Sequence, residues 1–407
     1  MTPSETRECL DCGLTQELPA LEGGSVAHCG RCGALLRRAS RQAESFPLFC
    51  ASLALTLFLA ALTLPFMGVR APGREAYASL FSGAIWLGEW GLWPLAIVVL
   101  LTLVLMPGLR LTGLVAVLVG ARLDPVPRWL GRVYRYTHEV SEWAMIEVFI
   151  VGSFIAYTRL NQLARVSLEP ALYLLGGVML CTVAADSTLD KETIWDLTES
   201  GRSDDHGTHP HILCHGCGRL ERAPEGDHCW RCGAVLHLRR PGSLRRTWSL
   251  LIAAVLLYIP ANVLPVMTIQ KVGRGGPHNI LSGVSELFAV GLIPLGILVF
   301  AASFVVPMFK LLGLATMLVA IRFRSTRWLR LRTRLYRAIE LVGRWSMVDV
   351  FVLATLVGLV HMGFYASVIP GWGSVAFGGV VVLTMLATIS FDPRLMWDVM
   401  ETNREPS

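Results

Sequence analysis

The chain is poor in charge. Only 16% of its 407 residues are Asp, Glu, Lys or Arg, against about 25% in soluble domains. Just over half are hydrophobic, at 53%. That balance excludes an ordinary soluble protein and predicts an integral membrane protein. No GK[ST] sequence occurs, which removes the P-loop, and no G-x-S-x-G, which removes the nucleophile elbow. The chain is therefore expected not to be an enzyme, and ATP-derived energy would have to come from a partner. No apolar leader opens it either. Residues 1–45 are polar and hold two cysteine pairs, so the N-terminus is expected to stay in the cytoplasm.

What is present is a set of long apolar runs near 47–69, 93–119, 143–164, 169–186, 248–269, 292–320, 345–367 and 374–391. Each is long enough to span a bilayer as a helix. Pro94, Pro107, Pro265, Pro294 and Pro307 fall within or beside them, which spanning helices tolerate where neighbours satisfy the freed carbonyls.

The eight runs are four, written twice. Leu64–Met67 (LPFM) answers Leu264–Met267 (LPVM), and Pro94, Pro107 and Gly113 answer Pro294, Pro307 and Gly313, at an offset of 200. At an offset of 202, YRYTHEVSEWAMIEVF (134–149) answers YRAIELVGRWSMVDVF (336–351), and IWD (194–196) answers MWD (396–398). A cysteine module precedes each set, so the repeating unit reads as one module followed by four helices, in parallel topology. The expected fold class is an α-helical integral membrane protein of two such tandem repeats. Its expected segments are a ribbon (1–45), four helices (46–197), a polar linker (198–212), a second ribbon (213–240), four more helices (241–400) and a tail (401–407).

Basic residues set the orientation. Arg37, Arg38 and Arg41 precede the first helix, and Arg239, Arg240, Arg245 and Arg246 the fifth. Arg122, Arg128, Arg132 and Arg135 follow the second, and eight arginines run from Arg322 to Arg344. This bias places both termini, both cysteine modules and both Arg-rich loops in the cytoplasm. The stretch 322–337, with Trp, Leu and Tyr among its arginines, reads as a helix lying on an anionic leaflet, and topology accounts for its charge without a nucleic-acid partner. His206, His209 and His211 read as solvated linker.

Of ten cysteines, Cys50 and Cys181 stand alone in apolar surroundings and read as inert buried thiols. The rest form C-x-x-C pairs: Cys9 and Cys12 with Cys29 and Cys32, then Cys214 and Cys217 with Cys229 and Cys232. In a cytosolic setting such pairs predict metal sites rather than disulfides. Four thiolates on two knuckles suit tetrahedral Zn²⁺, with an iron centre or redox dithiol as the alternatives. Each pair is followed by glycine (Gly13, Gly33, Gly218, Gly233), which lets the backbone turn under the sulfurs. His28, His215 and His228 are expected beside the sites rather than in them. Four-sulfur sites have no open position, so a structural role is expected, in modules too small to fold without metal.

Ionisable residues inside apolar runs are costly and commonly functional. The second half carries Lys310 on its second helix and Asp349 on its third; the first half carries Arg110 and Glu147 at the matching positions. Each pair is expected to neutralise itself across packed helices. Ser303, seven before Lys310, is expected on the same helix face, and Ser346 on the face of Asp349. Thr384 on the last helix would complete the cluster. The first half has Ala144 in place of Ser346, a thinner set. A static salt bridge fixing helix register is the competing reading, and His361 reads as a packed side chain or a proton relay.

The duplicated CxxCG knuckles, the LP pairs, SMVDVF (346–351), AMIEVF (144–149) and SFDPRLMWD (390–398) together resemble the paraquat-inducible protein A family over nearly the whole chain. The first half departs at STLDKETIWD (187–196), which lacks DPR. The resemblance implies a bacterial inner-membrane protein working with an MCE-domain partner that forms a periplasmic tunnel for phospholipids. It also implies that Ser303, Lys310, Ser346, Asp349 and Thr384 form the transport network, with Glu147 as the first-half acid. A proton-coupled transporter of a small amphiphile and a zinc-ribbon scaffold are the alternatives.

Overall fold

The computed structural model describes residues 5–19, 24–38, 45–71, 74–161, 165–189, 191–198, 211–271, 274–278, 280–289, 291, 293–360 and 366–402. Arg41, His206, His209 and His361, most of the 198–212 linker and most of the tail lie outside them. The first half comprises α1 (Ser45–Thr63), α2 (Ser82–Glu89), α3 (Trp93–Leu100), α4 (Met106–Gly120), α5 (Leu130–Ser141), α6 (Ile146–Leu160), α7 (Pro170–Thr188) and α8 (Lys191–Leu197). The second repeats it as α9 (Ser243–Val263), α10 (Ile280–Ala289), α11 (Ile293–Phe300), α12 (Val306–Arg322), α13 (Leu329–Gly343), α14 (Val348–Leu359), α15 (Trp372–Ser390) and α16 (Leu395–Thr402). Among the described residues eight helices, some built from two consecutive segments, are long and apolar enough to cross a membrane.

The first and last helices of each half pair with one another, α1 with α7 and α9 with α15. Three of these four have 19 residues and α9 has 21. At 1.5 Å per residue they measure about 30 Å, the thickness of the hydrocarbon layer. The run expected at 47–69 stops being helical at Thr63. Pro65 has no N–H to continue the ladder, and Met67–Ala71 becomes the central strand between Arg74–Ala78 and Arg165–Leu168. The second half repeats this sheet with Met267–Lys271 between Arg274–His278 and Ala366–Pro370. Both sheets cap the helix ends away from the cysteine modules.

The middle helices are longer. The α3–α4 and α11–α12 rods each contain a π-helical turn, Leu101–Leu105 and Ala301–Val305, two residues before Pro107 and Pro307. The arginine-rich stretch expected to lie flat on a leaflet turns at 323–328 and packs back along α12 as α13, burying Leu329, Thr333, Tyr336 and Ile339. Those four face protein, while Phe323, Trp328 and Leu331 stay exposed, at 78%, 73% and 51%.

α14 is the centre of the molecule. Of its twelve residues eleven are buried, because α6 and α2 of the first half both pack on it. At α6 the approach is closest at Gly152, where a Cβ would sit 3.0 Å from Phe351 Cβ. At α2 it is closer still: a Cβ on Gly83 would meet the Ala354 carbonyl at 2.6 Å, and one on Gly358 the Gly83 nitrogen at 2.9 Å. Gly358→Leu is expected to cost about 1–3 kcal/mol or more by forcing these helices apart, read as a lower melting temperature and a lower yield of monodisperse protein. The equivalent contact, α10 on α6, is not made to that extent among the described residues, so the repeat in sequence is not a symmetry of packing.

Candidate functional site: two cysteine ribbons and a divided polar core

Each cysteine module is a pair of knuckles. In the first, Glu5–Glu8 pairs with Thr15–Leu18 and Val26–His28 with Leu35–Arg38. In the second, His211–Leu213 pairs with Leu220–Arg222 and His228 bridges Val235. Gly13, Gly33, Gly218 and Gly233 all have φ near +70°, the left-handed conformation in which only glycine is free of strain. The turn lets Gly13 N–H donate to the Cys9 carbonyl at 2.9 Å, and its three counterparts do likewise. Backbone N–H groups of Asp11 and Cys12 reach the Cys9 sulfur.

The four sulfurs of each module lie within 4.8 Å of one another. Cys9–Cys32 and Cys12–Cys29 are 3.6 Å apart, Cys214–Cys232 3.4 Å and Cys217–Cys229 3.7 Å. An ion about 2.3 Å from each of four tetrahedral thiolates spaces them about 3.8 Å apart, so both clusters fit a metal ion. His28 and His228 are exposed and outside the clusters. His215 is turned away to Arg394. Cys50 is buried and Cys181 half-buried, both away from the clusters.

The ribbons seat crosswise, each on the half that it does not precede in the chain. The first packs on the second half: its cysteines share a core with Leu311, Met317, Tyr336 and Trp397. The second packs on the first half, with Leu114, Tyr134 and Trp195. The repeated IWD and MWD segments are their seats. Arg31, between Cys29 and Cys32, lies 4.4 Å over the Trp397 ring, and Arg231, between Cys229 and Cys232, lies 5.3 Å over Trp195. Arg337 of α13 donates to Asp11 at 2.6 Å and to Cys32 Sγ at 3.2 Å, and its repeat counterpart Arg135 packs against Gly216 of the second ribbon. A Cβ on Gly131 would fall 2.1 Å from the Arg231 carbonyl. Gly131→Leu is therefore expected to unseat the second ribbon, seen as faster release of its metal to a chelator with the first site unchanged.

The DPR segment explains its single occurrence. Arg394 is 0% exposed and donates to Asp392 at 3.2 Å, to Glu8 of the first ribbon at 3.2 Å, and to His215 of the second at 2.6 Å. One guanidinium thus touches both ribbons. Burial pushes His215 down to about 4, and the charge of Arg394 adds to it, so the ring is neutral and accepts. Burial raises the Asp392 carboxyl, but the Arg394 hydrogen bond and charge more than offset this and hold it below the usual range. At the repeat position of Arg394 the first half has Glu192, which takes Arg7 of the same ribbon strand.

The intramembrane set is not arranged as expected. Lys310 and Asp349 form no ion pair. Lys310 is 0% exposed and, among the described residues, reaches only the Gly343 carbonyl, at 3.4 Å. Asp349 Oδ2 is buried with no partner, and the Ser303 hydroxyl lies within its side-chain hydrogen-bond reach. Ser303 and Lys310 part for a local reason: the π turn at Ala301–Val305 adds a residue to one turn, so seven residues no longer return to the same face. Ser303 and Asp349 line a small apolar cavity with Arg159, Met267, Ser374 and Phe377, on the side of the sheets. Lys310 lines a chamber of about 390 Å³ on the side of the ribbons. Between them Ser346 Oγ is buried without a hydrogen bond, and Thr384 donates to the Val381 carbonyl of its own helix.

In the first half Arg110 pairs with Asp186 of α7 rather than with Glu147. Arg110, Glu147, Ala144 and Thr182 do share one small pocket. Asp186 has a repeat counterpart in Thr388, whose hydroxyl donates to the Thr384 carbonyl at 2.9 Å. Lys310 therefore lacks the carboxylate that Arg110 has. That difference was readable from the repeat alignment, one residue beyond the positions that stood out as charged.

Fold and site together define a duplicated, multi-pass helical membrane protein with two four-cysteine ribbons. The chain belongs to the paraquat-inducible protein A family, which matches residues 46–199 and 244–401. It is 30% identical over 401 residues to the intermembrane transport protein PqiA of Escherichia coli K12, covering 96% of this chain and 95% of that one. It is 28% identical over 396 residues to the lipophilic envelope-spanning tunnel protein A of the same strain, covering 97% and 92%. A probable intermembrane transport protein of Haemophilus influenzae is 27% identical over 416 residues, covering 99% and 98%. No solved structure matches.

Proposed function

We propose that the protein is an inner-membrane component of a lipid transport system, passing phospholipids between that membrane and a periplasmic tunnel built by an MCE-domain partner. Its termini and ribbons lie in the cytoplasm, a placement the arginine distribution supports, and its sheets face the periplasm. Each ribbon holds one structural Zn²⁺. The reading draws on the transport names of relatives that align end to end. The observation that carries it is that Lys310 and Asp349 do not pair with each other but face cavities on opposite sides of the core, Asp349 beside Ser303 and Arg159. Charges inside a membrane core are costly and commonly functional. A static salt bridge would have paired them.

In this reading Asp349, Ser303 and Arg159 meet cargo or partner from the periplasmic side, and Lys310 meets it from the cytoplasmic side. Ser346 and Thr384, between the two, change partners as α14 shifts against α12 and α15. Ribbons clamped on both halves support a structural role rather than recruitment of cytoplasmic proteins. Asp349→Asn and Lys310→Ala are each expected to abolish envelope-lipid function in complementation while the protein still inserts and keeps its metal. Full complementation by either variant at native expression sinks the proposal.

A further inference from the structure

The ribbon-side chamber holds a buried cation whose counter-ion the repeat has deleted. In the first half Asp186 neutralises Arg110; in the second Thr388 takes that place and itself lines the chamber with Lys310. Of the three donors of the Lys310 ammonium, only one has an acceptor, the Gly343 carbonyl at 3.4 Å. Arg344 and Glu142, both half-buried, and the exposed Glu340 at the rim face the same chamber. The side chains of these three make no hydrogen bond or ion pair with another described residue, although the charges of Arg240 and Arg344 act on both carboxylates. Arg240, also at the rim, is turned to the Ile389 carbonyl, and Arg337 is taken by Asp11.

The chamber lies at a definite depth. Ile389 is one residue from the end of α15 and Arg240 three before the start of α9, so it sits where the membrane helices leave the hydrocarbon layer. Leu341 and Trp345, one turn apart beside it, are 65% and 42% exposed, as lipid-facing side chains are. Two cations and two carboxylates, unpaired, at headgroup depth and next to a lipid-facing surface, match a ligand that carries one charge of each sign.

We infer that this chamber binds the headgroup of a cytoplasmic-leaflet phospholipid bearing both a phosphate and a primary ammonium. The phosphate takes Lys310 and Arg344, and the ammonium takes Glu142 and Glu340. The inference rests on the lipid role and orientation proposed above and names the headgroup class.

The test uses the full chain, purified from nanodiscs of equal phosphatidylethanolamine and phosphatidylglycerol, with retained lipid counted by mass spectrometry. Wild type is expected to retain phosphatidylethanolamine about tenfold over phosphatidylglycerol, the worth of one charge-assisted contact. Glu142→Gln with Glu340→Gln is expected to remove that preference. Thr388→Asp restores the missing carboxylate without removing a cation, and is expected to lower total retention about tenfold. Metal content and melting temperature, measured alongside, show that each variant folds; where Thr388→Asp fails this control, Arg344→Gln carries the same expectation. Equal retention of both lipids by wild type, or Thr388→Asp retaining lipid as wild type does, overturns the inference. So does displacement of the lipid by millimolar glycerophosphoethanolamine, which would make a soluble headgroup the ligand. These outcomes need no tunnel partner, so their failure is distinct from complementation by Asp349→Asn.

Discussion

Arg394→Ala is expected to lower the melting temperature by roughly 10 °C and to loosen both ribbons at once. The guanidinium is enclosed, and its removal leaves Asp392, 1% exposed, as a buried carboxylate without its cation. Glu8 and His215 lose their donor as well. Stripping one partner from such a buried set costs about 3–5 kcal/mol, which for a domain-sized unit corresponds to that shift in melting temperature. Arg394→Lys keeps the charge, but one ammonium does not present the planar fork that reaches three acceptors, so an intermediate loss is expected. The measurement is thermal unfolding in detergent together with metal release to a chelator from each site. A melting temperature within 2 °C of wild type would show that the ribbons are held by their tryptophan seats alone.

The second large effect concerns which half depends on which ribbon. Cys9→Ser with Cys12→Ser is expected to unfold the first ribbon, since structural zinc contributes about 10–16 kcal/mol to the folding of such modules. Although that ribbon precedes the first half in the chain, the damage is expected in the second. α13 loses the Arg337 contacts to Asp11 and Cys32, and α16 loses Arg31 from Trp397. Amide exchange in α13 and α16 is expected to rise at least tenfold, a loss of about 1.4 kcal/mol of local protection, while α4 and α5 stay as in wild type. Cys214→Ser with Cys217→Ser is expected to do the reverse, loosening α5 and α8. Faster exchange in α5 rather than α13 after the first pair of substitutions would refute the crosswise arrangement.

Much of this molecule was legible in its sequence, for local reasons. Span number follows from apolar run length, and the knuckles follow from four cysteines whose pairs each end in a glycine able to take φ near +70°. Duplication is visible because both copies kept the same prolines, WD pairs and acid-bearing segments. The divided polar core was not legible. Placing Ser303 on the face of Lys310 assumed an unbroken α-helical period between them, and the π turn at Ala301–Val305 breaks it. A π turn leaves no residue-type mark, since its residues, AASFV, suit an α-helix equally well. The role of the tryptophans was hidden for a different reason: nothing in the sequence joins Trp195 to Arg231, 36 residues on, or Trp397 to Arg31 near the other end of the chain.

The sequence by itself determined that this is a membrane protein of two like halves with two four-cysteine ribbons, because composition, run length and cysteine spacing act within one segment at a time. Only the tertiary structure decided that the ribbons exchange halves and that one Arg394 serves both. It alone placed α2 against α14 without an equal contact from α10, and left Lys310 and Asp349 facing different cavities. Those outcomes depend on which surfaces meet between separate segments of the chain. Two halves built on one pattern offer similar faces to each other, and the choice among pairings falls to their differences, Thr388 for Asp186 and Arg394 for Glu192 among them.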